Sequence, residues 1–431
     1  MNTFIFWLFD GPRETKFFAW YRRFFGIEEW ETQTTVKWVI GAALLSYYTT
    51  FSTWIGSPSM TINGFLQGRA TCWPYFQNCT DYYFLYSLPY GYSQTTFYMC
   101  LFGILILCVY LFYKKEWILL HMFMLVPFIW HVLGNLVLTH QNAGNFDYYL
   151  IAFASILLFA HHKEYFLKVA LVSFYFLSTA TKIHDAWVLG TYFSALSTGL
   201  PFFPDWSLPL VTNQLIFMEM VGAWFLLSKR PWLQRSVAAY FIFFHLYSGI
   251  LVEYRYPSTV LPTLIILFAL FYRYQEPPFN KKAVIGWVLV GIWYVAQVVP
   301  FLIEGDQKYT QEANKFGMYM FESNHQCIST ATYRTTDGAT FSVVRKNDSS
   351  RNRCNPFDYL QGIQHRCKHG FPQVETARWT FDHSINGRPF YRQVDEQDAC
   401  TLTYNAWSHN EWIRLQHEAE VVGYPYENWF Y

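Results

Sequence analysis

Residues 117–137 read WILLHMFMLVPFIWHVLGNLV and contain no Asp, Glu, Lys or Arg over 21 positions. A helix of about 20 apolar residues is long enough to cross the ~30 Å hydrocarbon core of a bilayer. Eight further apolar stretches follow the same pattern, with short polar or basic segments between them. The nine segments are 38–55, 95–113, 117–137, 147–161, 165–181, 210–228, 236–253, 257–272 and 284–302. They predict a polytopic α-helical membrane domain with about nine spans, followed by a small extracytoplasmic, mainly β domain.

The composition excludes several classes of protein. The chain has 431 residues, of which 53% are hydrophobic, 22% aromatic and 14% charged, and its formal net charge is +1. Such a chain is neither disordered nor an ordinary soluble enzyme. It lacks the basic field that binding to nucleic acid requires. The last 128 residues hold 29 of the 61 charged side chains, so we expect a different, polar domain there.

The basic residues beside the predicted spans indicate their orientation, because short cytoplasmic loops retain Lys and Arg. The outside loops hold only Arg69, Lys182 and Arg255, with the amino terminus placed in the cytoplasm. The inside segments hold Arg13, Lys16, Arg22, Arg23, Lys114, Lys115, Lys163, Lys229, Arg230, Arg235, Arg273, Lys281 and Lys282. The carboxyl-terminal domain is therefore predicted to be lumenal, periplasmic or extracellular.

Two further features agree with that topology. Both Asn-x-Ser/Thr sites, Asn78 and Asn347, fall on the outside, where a eukaryotic host glycosylates such sites. The six outside cysteines are Cys72, Cys79, Cys327, Cys354, Cys367 and Cys400. Six cysteines allow 15 complete pairings, and one bridge worth testing joins Cys72 to the tail.

Three regions result from these patterns. Residues 1–35 include the aromatic and basic run TKFFAWYRRFFGIEEW, which predicts a cytoplasmic interfacial segment. Residues 36–303 form the predicted membrane domain. Residues 304–431 contain alternating runs such as CISTATYR, TFSVV and RWTFDHSI, which predict a small mixed or mainly β domain.

Ionisable side chains at membrane depth are costly, so each one is a functional hypothesis. Lys182 ends the fifth span and is partly desolvated, which favours a neutral amine able to act as a general base. The structural alternatives are a lysine that reaches the headgroups or pairs with Asp185 or Glu219. Glu219 and His245 lie within spans and are candidates for a buried pair.

Two other groups favour structural roles. His131 and Asn135 share one helical face and are typical of interhelical hydrogen bonding. The sequences HQC near residue 325 and HRCKH near residue 365 lack a second, correctly spaced ligand pair, so no metal site is predicted.

The order of these motifs resembles the vitamin K-dependent gamma-carboxylase family and its HTTM-type transmembrane domain, over about 280 residues. KIHDAWVLG, with Lys182, Trp187 and Gly190, is similar to the element that carries the family's catalytic lysine. GNFDYYLIAFASILLF, with Asn145, is similar to a second element. The later matches are Glu219, Phe244 with His245, SNHQ at 323–326, YRTTDG, Asn386, Arg388, Arg392, Asp395 and NAWSHNEW near Trp407.

The resemblance implies an integral membrane enzyme that uses vitamin K hydroquinone, O₂ and CO₂. In that family a lysine deprotonates the hydroquinone, oxygenation yields a strong base, and peptidyl glutamate is carboxylated while the quinone leaves as its epoxide. The expected partners are a glutamate-containing peptide and the lipid bilayer. The lack of the family's longer tail fits a compact, non-animal member.

The resemblance also implies roles for individual residues. Lys182 and Asn145 are the expected catalytic residues, and Arg388, Arg392 and His325 are the expected substrate-binding residues. Glu219, His245, Trp187 and Phe146 are expected to support the pocket. Surface ion pairs with Asp395 or Asp398 are the alternative role for the two arginines.

One departure bears on carboxylation. The family commonly has a histidine after the matched asparagine, whereas this chain has Phe146, and His140 is a possible substitute on a different loop path. The alternative functions are a non-carboxylating relative, acting in peptide or toxin maturation or in lipid-quinone chemistry, and a transporter-like membrane protein.

Overall fold

A computed structural model describes residues 16–56, 93–133, 145–194, 199–252, 255–318, 323–347 and 354–425. Up to residue 302 the described chain is mainly helical. Its α-helices are α1 (Lys16–Phe24), α2 (Ile27–Thr32), α3 (Thr34–Gly56), α4 (Ser93–Lys114), α5 (Trp117–Leu133), α6 (Asn145–Phe159), α7 (Lys163–Ala180), α8 (Asp185–Val188), α9 (Thr191–Ser194), α10 (Leu208–Met220), α11 (Pro231–Val252), α12 (Arg255–Leu264) and α13 (Val284–Val298). The tail adds α14 (Gln307–Thr310) and α15 (Pro356–His369).

The prediction of a membrane domain with about nine spans is wrong. Among the described residues, only the helical segment Lys281–Leu302 is long and apolar enough to cross a membrane. Counted over the residues whose side chains are described, four other apolar helical segments have only 10–17 residues: Tyr98–Lys114, Trp117–Leu133, Phe146–Phe159 and Tyr256–Leu270. That length is below the ~20 residues that a span requires.

Helix ends and changes of helix type explain part of the difference between the predicted spans and the observed helices. The apolar run 210–228 is divided where α10 ends and the 3₁₀ segment Gly222–Leu227 begins. The run 257–272 forms one helix that contains Pro262, changes from α-helical to π-helical at Ile265 and ends at Leu270. Proline removes a backbone donor and distorts the preceding turn. The apolar composition of the sequence shows neither the end of α10 at Met220 nor the change of helix type at Ile265.

Helix α7 lies at the centre of the helical part. It packs against α6, α10 and α13, and 15 of its 18 residues are buried. Its first two turns contain the buried charged residues Lys163, Glu164 and Lys168. Lys168 Nζ lies 2.6 Å from Glu164 Oε1, so these two charges neutralise each other within the helix. Because burial makes an unpaired charge costly, this contact explains how the buried helix accommodates Lys168.

The outer helices expose large apolar side chains. Examples are Trp38 on α3, Ile106 and Tyr113 on α4, Phe243 on α11 and Val295 on α13, each more than half exposed. Where exposed apolar side chains form a contiguous patch, the surface is typical of one that contacts lipid or a partner.

The tail contains a five-stranded antiparallel sheet with the order β2-β1-β3-β4-β5. The strands are β1 (His325–Thr335), β2 (Thr340–Lys346), β3 (Val374–Ile385), β4 (Phe390–Glu396) and β5 (Val421–Gly423). Helix α15 packs against β3, and Trp379 and Phe381 of β3 are fully buried in the shared core. The runs predicted to be β-rich therefore form β1, β2 and β3.

Two disulfides lie within the carboxyl-terminal tail, residues 304–431. Cys327 pairs with Cys354, and Cys367 pairs with Cys400. Because all four tail cysteines are paired with each other, the predicted bridge from Cys72 to the tail is wrong. Cys72, Cys79 and the glycosylation site at Asn78 lie outside the described residues.

A buried carboxylate connects the start of the tail to its far end. Glu312 accepts hydrogen bonds from the backbone N–H of Asn410, at 2.8 Å, and from Asn410 Nδ2, at 2.7 Å. His409 Nδ1 lies 2.7 Å from the second carboxylate oxygen. Burial raises the pKa of Glu312, although these donors oppose the shift. The NAWSHNEW motif thus has a structural role, because it supplies both donor residues.

Candidate functional site

Lys182 follows the end of α7 and is almost completely buried, with 1% of its side chain exposed. Its Nζ lies 2.5 Å from Glu219 Oε2. The same oxygen accepts a hydrogen bond from Thr179 Oγ1 at 2.5 Å. The ring of Trp187 lies 5.8 Å from the amine, measured to its centroid. Of the partners proposed for Lys182 from the sequence, the structure selects Glu219.

The loop after Lys182 is fixed by close backbone packing. Gly190 has a φ of 74°, which disfavours residues with a side chain. A Cβ at this position would also lie 2.7 Å from Leu208 Cβ at the start of α10. Trp187 Nε1 donates to the carbonyl oxygen of Thr212, also on α10, at 3.4 Å. The helix that carries Glu219 is thereby held against the loop that carries Lys182.

A buried amine and carboxylate in contact are neutral as a pair. Taking two charges out of water is costly, and their attraction offsets that cost only when the geometry is close. The close contact between Lys182 and Glu219 meets this condition, since their atoms lie 2.5 Å apart.

His245 is not the partner of Glu219, contrary to one sequence-based interpretation. It lies on α11 and is fully buried, with Nε2 2.5 Å from the hydroxyl of Tyr175 on α7. Its other ring nitrogen, Nδ1, is shielded from solvent and has no hydrogen-bond partner in the described part of the chain. A buried polar atom without a partner is costly, so this nitrogen favours a ligand that forms a hydrogen bond with it.

The tyrosines around this site were missed by sequence reasoning. Tyr256 on α12 donates to the hydroxyl of Tyr149 on α6 at 3.3 Å, and Tyr175 stands beside His245. All three are buried in a helical part rich in aromatic residues. The sequence did contain a signal for Tyr175. It precedes Thr179 by four residues and Lys182 by seven, and this spacing places the three residues on one helical face.

The second predicted catalytic residue, Asn145, begins α6, but its side chain lies outside the described residues. Phe146 is partly buried and packs against the apolar core. The next residue, Asp147, is buried and lies 2.9 Å from His131 Nε2 on α5. Asn135, which was predicted to share a helical face with His131, and the possible substitute His140 lie outside the described residues.

Among the described residues, the sheet domain, which contains β1–β5, contacts the chain after Lys182 through Arg388 and Asn324. Arg388 lies 3.2 Å from Asp185, and both side chains are exposed. Asn324 Nδ2 donates to the carbonyl oxygen of Tyr192 at 2.8 Å. Arg388 therefore pairs with neither Asp395 nor Asp398, the partners considered from the sequence.

The other predicted substrate-binding residues are engaged within the tail. Arg392 forms an ion pair with Asp382 across β3 and β4. Burial raises the pKa of Asp382, although Arg392 opposes this shift. His325 is buried, and its Nδ1 lies 3.1 Å from Nε2 of His383. Arg388 is the one predicted substrate ligand that is more than half exposed.

His383 links this cluster to the start of the tail. Its Nδ1 donates to the carbonyl oxygen of Tyr309 at 3.1 Å, and Gln393 Nε2 donates to the same oxygen at 2.7 Å. Burial, together with the neighbouring His325, lowers the pKa of His383 well below its usual range. The ring is therefore neutral at physiological pH.

The arrangement provides no evidence for a metal centre, since no group of three His, Cys, Asp or Glu side chains in the described ranges could hold a metal ion. Comparison with known proteins identifies no relative: no family model, no curated protein and no solved structure matches the chain. The resemblance to the carboxylases therefore remains a prediction from sequence motifs.

Proposed function

We propose that this chain is a membrane-bound enzyme that couples epoxidation of a reduced vitamin K-type quinone to carboxylation of peptidyl glutamate. The observation that carries the proposal is the Lys182–Glu219 pair, an amine held out of water at a distance of 2.5 Å from a carboxylate. A neutral amine held in a dry site beside a carboxylate can accept a proton as a general base, and the carboxylate stabilises the ammonium that results.

The polar groups of the site fit an aromatic ring that bears oxygen atoms. Lys182 offers an amine, and His245 offers a ring nitrogen with no partner among the described residues. Buried aromatic side chains such as Tyr175 and Trp187 surround these atoms. When bound, a reduced quinone with O₂ would supply the strong base that removes a proton from the γ-carbon of glutamate. Lys182 would hold the proton taken from the quinone hydroxyl, and Glu219 would stabilise the resulting ammonium.

Two surface features support placement at a membrane. The segment Lys281–Leu302 is able to cross a bilayer, and the outer helices expose large apolar side chains. Under this proposal the sheet domain presents the peptide, and Arg388 is its exposed carboxylate ligand, since a guanidinium binds a carboxylate through two hydrogen bonds.

The test uses purified protein in detergent with reduced vitamin K, labelled bicarbonate and a glutamate-containing peptide. We expect both epoxide and incorporated label. Lys182→Ala should lower epoxide formation by roughly 100-fold or more, as loss of a general base does. Lys168→Ala is the matched control, because it removes another buried Lys–Glu contact from α7. Epoxide formation that survives in Lys182→Ala would make Lys182 a structural residue.

Phe146 favours a second candidate, a relative that performs the quinone chemistry without carboxylation. Its apolar ring replaces the histidine that the resemblance leads one to expect, and a phenyl ring cannot exchange a proton. Epoxide without incorporated label would identify this second function. Absence of both products would reject both candidates.

A further inference from the structure

A cleft lies beside the first turns of α7, at the opposite end of that helix from Lys182. It consists of two adjacent cavities, of about 330 Å³ and about 120 Å³, which share Tyr165 and Gln275. The segment Tyr272–Pro278, which precedes α13, forms its other wall. Nothing in the proposed reaction uses this cleft.

The two cavities differ in charge. The smaller one is lined by the cations Lys168 and Arg273 and by no carboxylate. The larger one is lined by the carboxylates Glu164 and Glu276 and by no Lys or Arg. Lys168 and Glu164 form an ion pair with each other, and Glu276 lies 3.6 Å from Lys229. Arg273 is therefore the lining cation left for a ligand, and it favours a negative group in the smaller cavity.

The hydrogen-bonding atoms of the larger cavity add a second requirement. The Oε1 atoms of Gln33 and Gln275 are shielded from solvent and accept no hydrogen bond within the described part of the chain. A buried acceptor without a donor is costly, so these atoms favour a ligand that carries N–H groups. A primary ammonium satisfies them, whereas a quaternary ammonium has no proton to donate.

Hydrogen bonds hold the wall of the cleft that carries Lys168 and Arg273. Lys168 Nζ donates to the backbone carbonyl of Arg273 at 2.8 Å, which leaves the Arg273 side chain outside this contact. The wall is also joined to the neighbouring loop, because the hydroxyl of Tyr272 donates to the carbonyl oxygen of Ser228 at 2.8 Å. Arginine is well suited to phosphate because its planar fork matches two phosphate oxygens.

The surroundings of the cleft favour a lipid as the source of this ligand. Trp232, at the start of α11, and Phe279, next to the lining residue Pro278, are highly exposed, and Lys229, Lys281 and Lys282 are exposed in the adjoining segments. Aromatic and basic side chains together are typical of the headgroup level of a bilayer. We propose that this cleft binds a phosphoethanolamine headgroup, with its phosphate at Arg273 and its ammonium between Gln33 and Gln275.

The test measures lipid binding to the full chain in detergent by native mass spectrometry, with ethanolamine, choline and glycerol phospholipids of identical acyl chains. We expect the ethanolamine lipid to bind about tenfold more tightly than the choline lipid, since only the former donates hydrogen bonds. Gln33→Leu combined with Gln275→Leu should remove this preference and leave binding of the choline lipid unchanged. Arg273→Gln should weaken both about tenfold, and Arg273→Lys should weaken them less.

Controls separate this site from general surface effects. Arg378→Gln, at an exposed arginine of the sheet domain, should leave lipid binding unchanged, and thermal unfolding should show that each variant is folded. Competition by soluble phosphoethanolamine would identify the headgroup alone as sufficient, and its failure to compete would identify the intact lipid as the ligand. Equal binding of the ethanolamine and choline lipids, tighter binding of the glycerol lipid, or full binding by Arg273→Gln would overturn the proposal.

Discussion

Lys182 Nζ and Glu219 Oε2 lie 2.5 Å apart, with 1% and 3% of the two side chains exposed. The two residues are 37 positions apart in the sequence, so this contact fixes the end of α7 against α10. A contact of this kind has both a structural and a chemical consequence. Removing one partner leaves the other buried and uncompensated, whereas removing both leaves only an apolar gap.

Variants of this pair should therefore separate stability from activity. Lys182→Met alone should lower the free energy of unfolding by about 3 kcal/mol, because the Glu219 carboxylate loses its counter-charge. Lys182→Met with Glu219→Leu should recover most of that loss, while epoxide formation remains absent. Thermal unfolding in detergent and the epoxide assay measure the two effects. Recovery of activity in the double variant would contradict a role for Lys182 as a base.

The two arginines of the sheet domain should differ in their effects on stability. Arg388 and Asp185 are both exposed, so Arg388→Ala should change the free energy of unfolding by less than about 1 kcal/mol. Arg392→Ala should cost about 2 kcal/mol, since it leaves the mostly buried Asp382 without its donors. Under the proposed function, Arg388→Ala should instead raise the KM for the peptide. Equal destabilisation by both variants would show that the Arg388–Asp185 contact is stronger than its exposure indicates.

The strands were the most predictable part of the fold. Alternation in CISTATYR and RWTFDHSI located β1 and β3, because a strand with one buried face requires a period of two. The number of membrane spans was not predictable in this way. The apolar composition of a run does not show where a helix ends or changes type. Helix α10 ends at Met220 within the run 210–228, and α12 changes to a π-helical segment at Ile265 within the run 257–272.

The candidate site was predictable in part. A lysine in an apolar setting is unusual, and this alone drew attention to Lys182 and to Glu219 as one of its possible partners. The roles of Tyr149, Tyr175 and Tyr256 were hidden, because tyrosines are common in a chain that is 22% aromatic. The contact between Arg388 and Asp185 joins residues 203 positions apart, and no local pattern encodes it.

The disulfide pairing can be checked by peptide mapping under non-reducing conditions. We expect peptides linked through Cys327–Cys354 and through Cys367–Cys400. Replacing both Cys367 and Cys400 by Ser should lower the free energy of unfolding by about 3 kcal/mol, since the bridge closes a loop of 33 residues. Cys100→Ser, which removes a free and exposed thiol, is the control and should have little effect. A linked peptide that contains Cys72 and a tail cysteine would contradict this pairing.

The neutral His383 should make the tail sensitive to acid. Its pKa is lowered in the folded state by burial and by His325, so below about pH 6.5 the unfolded chain binds more protons than the folded one. The free energy of unfolding should therefore fall as the pH drops from about 6.5 to 5, by up to roughly 1.4 kcal/mol per pH unit. His383→Gln should flatten this dependence, because glutamine stays neutral, whereas the exposed control His417→Gln should keep it. Thermal unfolding midpoints recorded between pH 7.5 and 5 measure the difference, and parallel curves for the wild type and His383→Gln would show that this histidine does not govern acid stability.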